Sequence, residues 1–253
     1  MKMKIAKFAL LAALSFGVSS MSFAMDETKA QAPNITGVWE IFPDPPPPRR
    51  SRVPNGGPNL REPYATQWKA FRAEREAKLQ AGTPLVDAST LCLPEGMPTV
   101  MWAIYPLQIL QTPGQVTVLA EFVTQTRRIF LDVPMLAPDD NAPSYYGFSA
   151  GRWEGDTLVV TTKGVREDVT FFDIPHSDEM TITERIKLTG PDLLEDQITI
   201  EDPKMLLEPY KFSFGYKRND EYRISEYYCE GVDPLTKVNK DGTISMKTAE
   251  DNE

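Results

Sequence analysis

Residues 151–203 read GRWEGDTLVVTTKGVREDVTFFDIPHSDEMTITERIKLTGPDLLEDQITIEDP. Three runs in this stretch read as strands: Thr157–Lys163, and Glu179–Leu188 and Leu193–Glu201, in which apolar and polar residues alternate with the period of a strand. Glu154-Gly155-Asp156 and Thr189-Gly190-Pro191-Asp192 supply the turn residues that join such runs as hairpins. In Glu179–Leu188 one face carries Met180, Ile182, Glu184, Ile186 and Leu188, and the other carries Thr181, Thr183, Arg185 and Lys187. The first face must be the interior, and Glu184 goes in with it. The chain's single histidine, His176, lies in the loop that enters this strand, beside Asp178.

The same punctuation continues on both sides. Upstream, Ile35–Ile41, Met101–Thr112, Gln115–Val123, Arg127–Asp132 and Tyr146–Trp153 read as strands, with Pro113-Gly114 closing one hairpin. Downstream, Tyr210–Lys217 and Tyr222–Cys229 follow, joined by the polar turn Arg218–Glu221. Pro63 opens a helix over 63–81, with Tyr64, Trp68, Phe71 and Arg75 on one face, Glu74 and Lys78 spaced to pair, and Gly82 as its stop. The pattern predicts an all-β fold: an antiparallel up-and-down β-barrel of about eight to ten strands with one flanking α-helix. Sequential hairpins favour that arrangement over a Greek-key sandwich. Gly37-x-Trp39 in the first strand resembles the opening strand of lipocalin-type barrels, which implies a lipocalin-like closed end plugged by the tryptophan.

The ends and the composition narrow the setting. Lys2, Lys4 and Lys7, an apolar Phe8–Val18 and Ser22-Phe23-Ala24 form the pattern of a signal peptide over residues 1–24, cleaved after Ala24. The mature chain is then expected in the periplasm or outside the cell, with no membrane anchor, as one barrel domain over 25–253. Cleavage removes three lysines from a chain whose formal net charge is already −9. That balance argues against nucleic acid, whose phosphates need clustered Lys and Arg, and against an anionic membrane surface. In an exported chain Cys92 and Cys229 are expected to form a disulfide, stabilising by up to about 4–5 kcal/mol in the chain-entropy model; two free thiols are the alternative. Pro43–Pro58, with its seven prolines, reads as an extended loop over about 43–60, and the polar tail from about 231 as frayed.

Alternation also names the interior. Tyr210, Phe212, Phe214 and Tyr216 share one face of their strand; Leu194, Asp196, Ile198 and Ile200 share another. In the expected last strand Tyr222, Ile224, Glu226 and Tyr228 point inward. Such a wall suits an apolar or aromatic small molecule that carries polar groups. Buried Glu184 and Glu226 have two possible fates. An inward arginine (Arg223, or Arg128 after a register slip) and tyrosine hydroxyls can pair them structurally, or an unpaired carboxyl can act as a general acid or base.

Three functions stay open. The first is binding of an apolar or aromatic ligand. The second is an isomerase, lyase or hydratase in which His176 and Glu184 move protons, Asp178 orients the imidazole and Tyr228 stabilises an oxyanion. The third is a structural or partner-binding role through the acidic surface and Pro-rich loop. One histidine and paired cysteines leave no cluster for zinc, and Asp139-Asp140-Asn141 lacks calcium-loop spacing, so neither metal nor cofactor is expected. Oligomeric state is not legible.

Cys92-Leu93-Pro94-x-Gly96, Gly151–Val160, Pro175-His176-Ser177-Asp178, Thr183-Glu184-Arg185 and Ile200-Glu201-Asp202-Pro203 together resemble a family of exported bacterial proteins. The resemblance covers most of the mature chain. It implies a shared fold and export, and it carries no activity. The segment between Gly164 and His176, VREDVTFFDIP, departs from the more glycine-rich segment of typical members.

Overall fold

The computed structural model describes residues 32–43, 53–102, 105–229 and 236–248. The expected signal peptide, half of the Pro-rich loop and parts of the tail lie outside the described residues. Nine strands close into a barrel in chain order: β1 (Gly37–Ile41), β2 (Leu107–Thr112), β3 (Gln115–Ala120), β4 (Gln125–Leu131), β5 (Phe148–Glu154), β6 (Thr157–Lys163), β7 (Thr181–Gly190), β8 (Leu193–Glu201) and β9 (Tyr210–Arg218). Among the described residues one α-helix, α1 (Tyr64–Gln80), precedes β2. A small hairpin of β10 (Thr236–Val238) and β11 (Ile244–Met246) forms in the tail expected to be frayed.

An odd number of strands cannot alternate direction all the way around a closed ring. One neighbouring pair must be parallel, and here it is β4–β5, registered Ile129 to Ser149 and Leu131 to Gly151. Residues 132–147 carry the chain back across the barrel between them. This reversal lets β9 meet β1 antiparallel, with Trp39 opposite Arg218 and Ile41 opposite Tyr216. The up-and-down barrel read from the hairpins is therefore correct except at one seam.

The expected tenth strand, Tyr222–Cys229, is absent: β9 already pairs with β1, so no open edge remains to receive it. Residues 219–229 instead run as irregular chain to the corner between β3 and β4. There Glu121 accepts the Tyr222 hydroxyl, and Thr124 Oγ1 bonds the Tyr227 backbone. Alternation was a poor guide here because it marks a chain that covers an apolar surface as readily as one inside a ladder. The strand expected to start at Met101 begins at Leu107; Thr99–Trp102 is a short 3-10 turn instead, with proline at 98 and 106 on either side.

The two ends of the barrel differ. Tight turns at 113–114, 155–156 and 191–192 close one end, where Trp39 is fully buried. Its indole donates to the Ile35 carbonyl at 3.0 Å, and the Arg218 guanidinium lies 4.2 Å from its ring centre. A Cβ at position 37 would fall 2.1 Å from an Arg218 nitrogen, so glycine there makes room for the arginine to cross the tryptophan. The other end, the mouth, carries the long connections 42–106, 164–180 and 202–209. Cys92 and Cys229 are bonded and tie the first of these to the 219–229 segment.

The helix covers the mouth's flank without being buried. Tyr64, Trp68, Arg72, Arg75 and Lys78 form its half-buried stripe, and Phe71, expected on the packed face, is 41% exposed. Arginine replaces phenylalanine on the inner stripe because acids face it. Asp173 receives Arg75 at 2.8 Å and Arg72 at 3.5 Å, while Lys78 reaches Asp241 in the C-terminal hairpin.

Candidate functional site

The mouth is stoppered by the chain's own connections rather than by strand side chains. From the 3-10 turn Thr99–Trp102, Met101 is fully buried and its carbonyl accepts the Tyr216 hydroxyl at 2.6 Å. The Trp102 ring stands edge-on to Phe214 at 5.1 Å. From the β6–β7 connection, Phe171 stacks on Phe212 at 5.0 Å, and Phe172 meets Trp102 at 5.4 Å. The predicted wall of Tyr210, Phe212, Phe214 and Tyr216 is thus on the interior face, all buried, and these rings fill the space against it.

The tip of the β6–β7 connection is strained. Ile174 N–H donates to the Phe171 carbonyl at 3.0 Å, closing a turn whose two central residues, Phe172 and Asp173, have φ of 52° and 61°. That turn geometry suits Asn-Gly; a bulky residue and an aspartate in it cost on the order of 1–3 kcal/mol each. Helix α1 holds the tip in place. Trp68 donates its indole N–H to the Phe172 carbonyl at 3.1 Å, and Arg75 and Arg72 grip Asp173. Beside the tip lies a partly open void of about 20 Å³, lined by Phe171, Ile174, His176, Met180, Leu206 and Tyr210 among others. It has room for about one water-sized sphere.

Beneath the aromatic layer is a polar cluster. Glu184 is fully buried, as its phase in the strand predicts, and pairs with Arg127 of β4. One guanidinium nitrogen donates to Glu184 Oε1 at 2.7 Å, and the other donates to Oε2, to Ser149 Oγ at 3.3 Å and to Thr162 Oγ1 at 3.2 Å. Asp196 of β8 lies inward beside them, also fully buried, and neither carboxylate oxygen has a hydrogen-bond partner. Burial and the neighbouring Glu184 charge hold its carboxyl well above the usual range, against the pull of Arg127. Tyr216 is likewise held as a phenol, chiefly by burial.

Arg127 was the residue missed. The sequence Arg127-Arg128-Ile129-Phe130 places one arginine and one apolar residue on each face, so content alone does not choose the phase. Arg128 is exposed and Arg127 buried. Gln125, inward two residues earlier, fixes the phase: its side chain bonds Phe122 O, Glu95 N and Tyr146 Oη.

His176 does not join this cluster. The ring is buried, with Nε2 at 2.8 Å from Val169 O and Nδ1 at 3.1 Å from Ser177 O, so it pins the connection to itself. Asp178, expected to orient it, turns out to solvent and pairs with Lys204 at 2.6 Å. The buried acid of this corner is Asp202, which accepts Ser177 N at 2.6 Å, Ser177 Oγ at 2.8 Å and the Lys204 and Met205 amides. The Ser177 and Asp202 of the two quoted motifs therefore lock one connection to the next. His176, Asp178 and Glu184 each have separate partners, and Glu184 does not line the void beside His176.

Glu226 is exposed and Tyr228 is 80% exposed, because the segment that carries them is not a strand. The inward second carboxylate is Asp196, not Glu226. Among the described residues no group of three or more His, Cys, Asp or Glu is placed to hold a metal ion. No protein-family model matches the chain, and a search of curated proteins finds no match either.

Proposed function

We propose that the protein binds an apolar or aromatic small molecule at the barrel mouth, in the periplasm or outside the cell. One observation carries the reading: the interior is closed by rings from connections, Trp102, Phe171 and Phe172, and not by the ladder itself. Connections can move without breaking strand pairing, and the Phe172–Asp173 tip is strained where it sits. A ligand of the same chemistry would take the place of these rings against Phe212 and Phe214. The bonded Cys92–Cys229 pair supports an oxidising compartment. Proton-transfer catalysis by His176 and Glu184 loses its geometric basis, since each is engaged elsewhere.

The test is titration with an environment-sensitive hydrophobic fluorophore, in wild type and in Phe172→Ala. Saturable one-site binding is expected in wild type, and tighter binding in the variant, whose self-competing ring is gone. Absence of saturable binding in both, with native near-UV circular dichroism, would overturn the proposal.

A further inference from the structure

Among the described residues, four buried side-chain nitrogen or oxygen atoms lack a partner: Arg75 Nε, Arg127 Nε and both oxygens of Asp196. Both oxygens of Asp196 go without a donor, and the group set to share a hydrogen bond with it is another carboxyl, Glu184. Native interiors satisfy nearly all such atoms, and an orphan calls for an explanation. Its strand neighbours are Ile186 on β7 and Phe214 on β9. Trp102 rests edge-on against that same Phe214, so one ring separates Asp196 from the stopper.

The nearby donors do not serve it, and Arg127 Nε is itself without a partner. Arg127 spends its terminal nitrogens on Glu184, Ser149 and Thr162, and the Tyr216 hydroxyl donates to Met101 O. The charged and titratable groups around Asp196 are Glu184 on β7, Arg127 on β4, Tyr216 on β9 and its own neighbour Glu195. A protonated Asp196 can donate to Glu184, yet its second oxygen still lacks a donor. A positively charged N–H group meets this need best. The Arg127 and Glu184 charges cancel, so an ammonium and an ionised Asp196 add no net charge to the interior. Phe212 and Phe214 offer aromatic faces to a cation. The chain's net charge of −9 draws cations toward it.

We infer that the ligand of this mouth is an amine, an apolar or aromatic molecule whose ammonium group pairs with Asp196 once the Trp102 and Phe171 rings give way. This rests on the binding function proposed above. The proton balance is explicit: the ammonium enters with its charge, the Asp196 carboxylic acid releases its proton to solvent, and an ion pair replaces the neutral acid. Amine affinity therefore rises with pH while Asp196 is protonated in the free protein, by up to about tenfold per unit. A neutral isostere shows no such slope.

The experiment is calorimetric titration of the full mature chain with 2-phenylethylamine and with 2-phenylethanol. At neutral pH the amine is expected to bind at least about tenfold tighter than the alcohol. Repeating the titration in buffers of different ionisation enthalpy should show about one proton released per amine bound. Asp196→Asn should reduce the amine to the alcohol's affinity and leave the alcohol unchanged. Proton release in wild type keeps the test decisive should the variant not fold. Equal binding of amine and alcohol, or amine binding without proton release, overturns the inference. If the hydrophobic fluorophore binds and the amine shows no preference, the amine inference falls and the binding function stands; if neither is taken up, both fall.

Discussion

Replacing Arg127 by methionine tests whether the buried pair is a structural requirement or a dispensable ornament. The change keeps an unbranched side chain of similar length and deletes the charge and its four hydrogen bonds, two to Glu184, one to Ser149 and one to Thr162. Glu184 is then a carboxylate with no accessible surface and no counter-charge. Removing one partner of a buried pair leaves the other charge uncompensated and costs roughly 3–5 kcal/mol. Urea unfolding measures it. The double variant Arg127→Met with Glu184→Leu removes both charges, and it should return to within about 1–2 kcal/mol of wild type. A single-variant loss below about 1 kcal/mol, or a double variant no better than the single, would refute the reasoning.

Two further outcomes are expected. Cys92 and Cys229 are 137 residues apart, a loop worth about 5 kcal/mol in the chain-entropy model, so replacing both with serine should lower the melting temperature by roughly 10 °C; a calorimetric shift under about 2 °C would contradict this. Asp241 accepts the Thr243 hydroxyl and amide and the Lys78 ammonium, which lower its pKa to about 2. A depressed carboxyl stabilises above its unfolded value and loses that contribution as pH falls through its folded one. The β10–β11 hairpin should therefore keep its contact with α1 down to about pH 3 and loosen toward pH 2. Amide shifts of Asn239 and Thr243 followed by NMR should report that midpoint; loosening already near pH 4 would contradict it.

The strands were readable where turn residues bounded them, as across Thr157–Lys163, and where alternation agreed, as across Leu193–Glu201; the observed bounds of both match the sequence reading. Glu184 was readable for the same reason: every alternate neighbour in its strand is apolar, so only one phase is tenable. Arg127 was not, because the run as read from the sequence starts with Arg127-Arg128 and each phase carries the same content. Tyr222–Cys229 failed for a non-local reason. Its pattern is that of a strand, but pairing depends on a free edge, and closure of β9 on β1 removes it. The stoppers were equally hidden. Nothing local in Thr99–Trp102 or Phe171–Asp173 says that these residues enter the barrel rather than lie over it; that follows from which loops share an end, a property of the closed topology.

The parallel seam has a mechanical consequence. Between β4 and β5 the register covers three residue pairs. Arg127 starts on β4 and fastens to β5 through Ser149, to β6 through Thr162 and to β7 through Glu184. A single side chain is thus a tie-rod laid across the joint and two strands beyond it. Parting that joint would strip a guanidinium from its carboxylate in a dry interior, while parting the stoppers would separate rings, one hydroxyl from the Met101 carbonyl and the part-buried Asp173 pairs. The wall is thus tied by a fully buried ion pair, and the mouth by bonds that lie nearer to solvent.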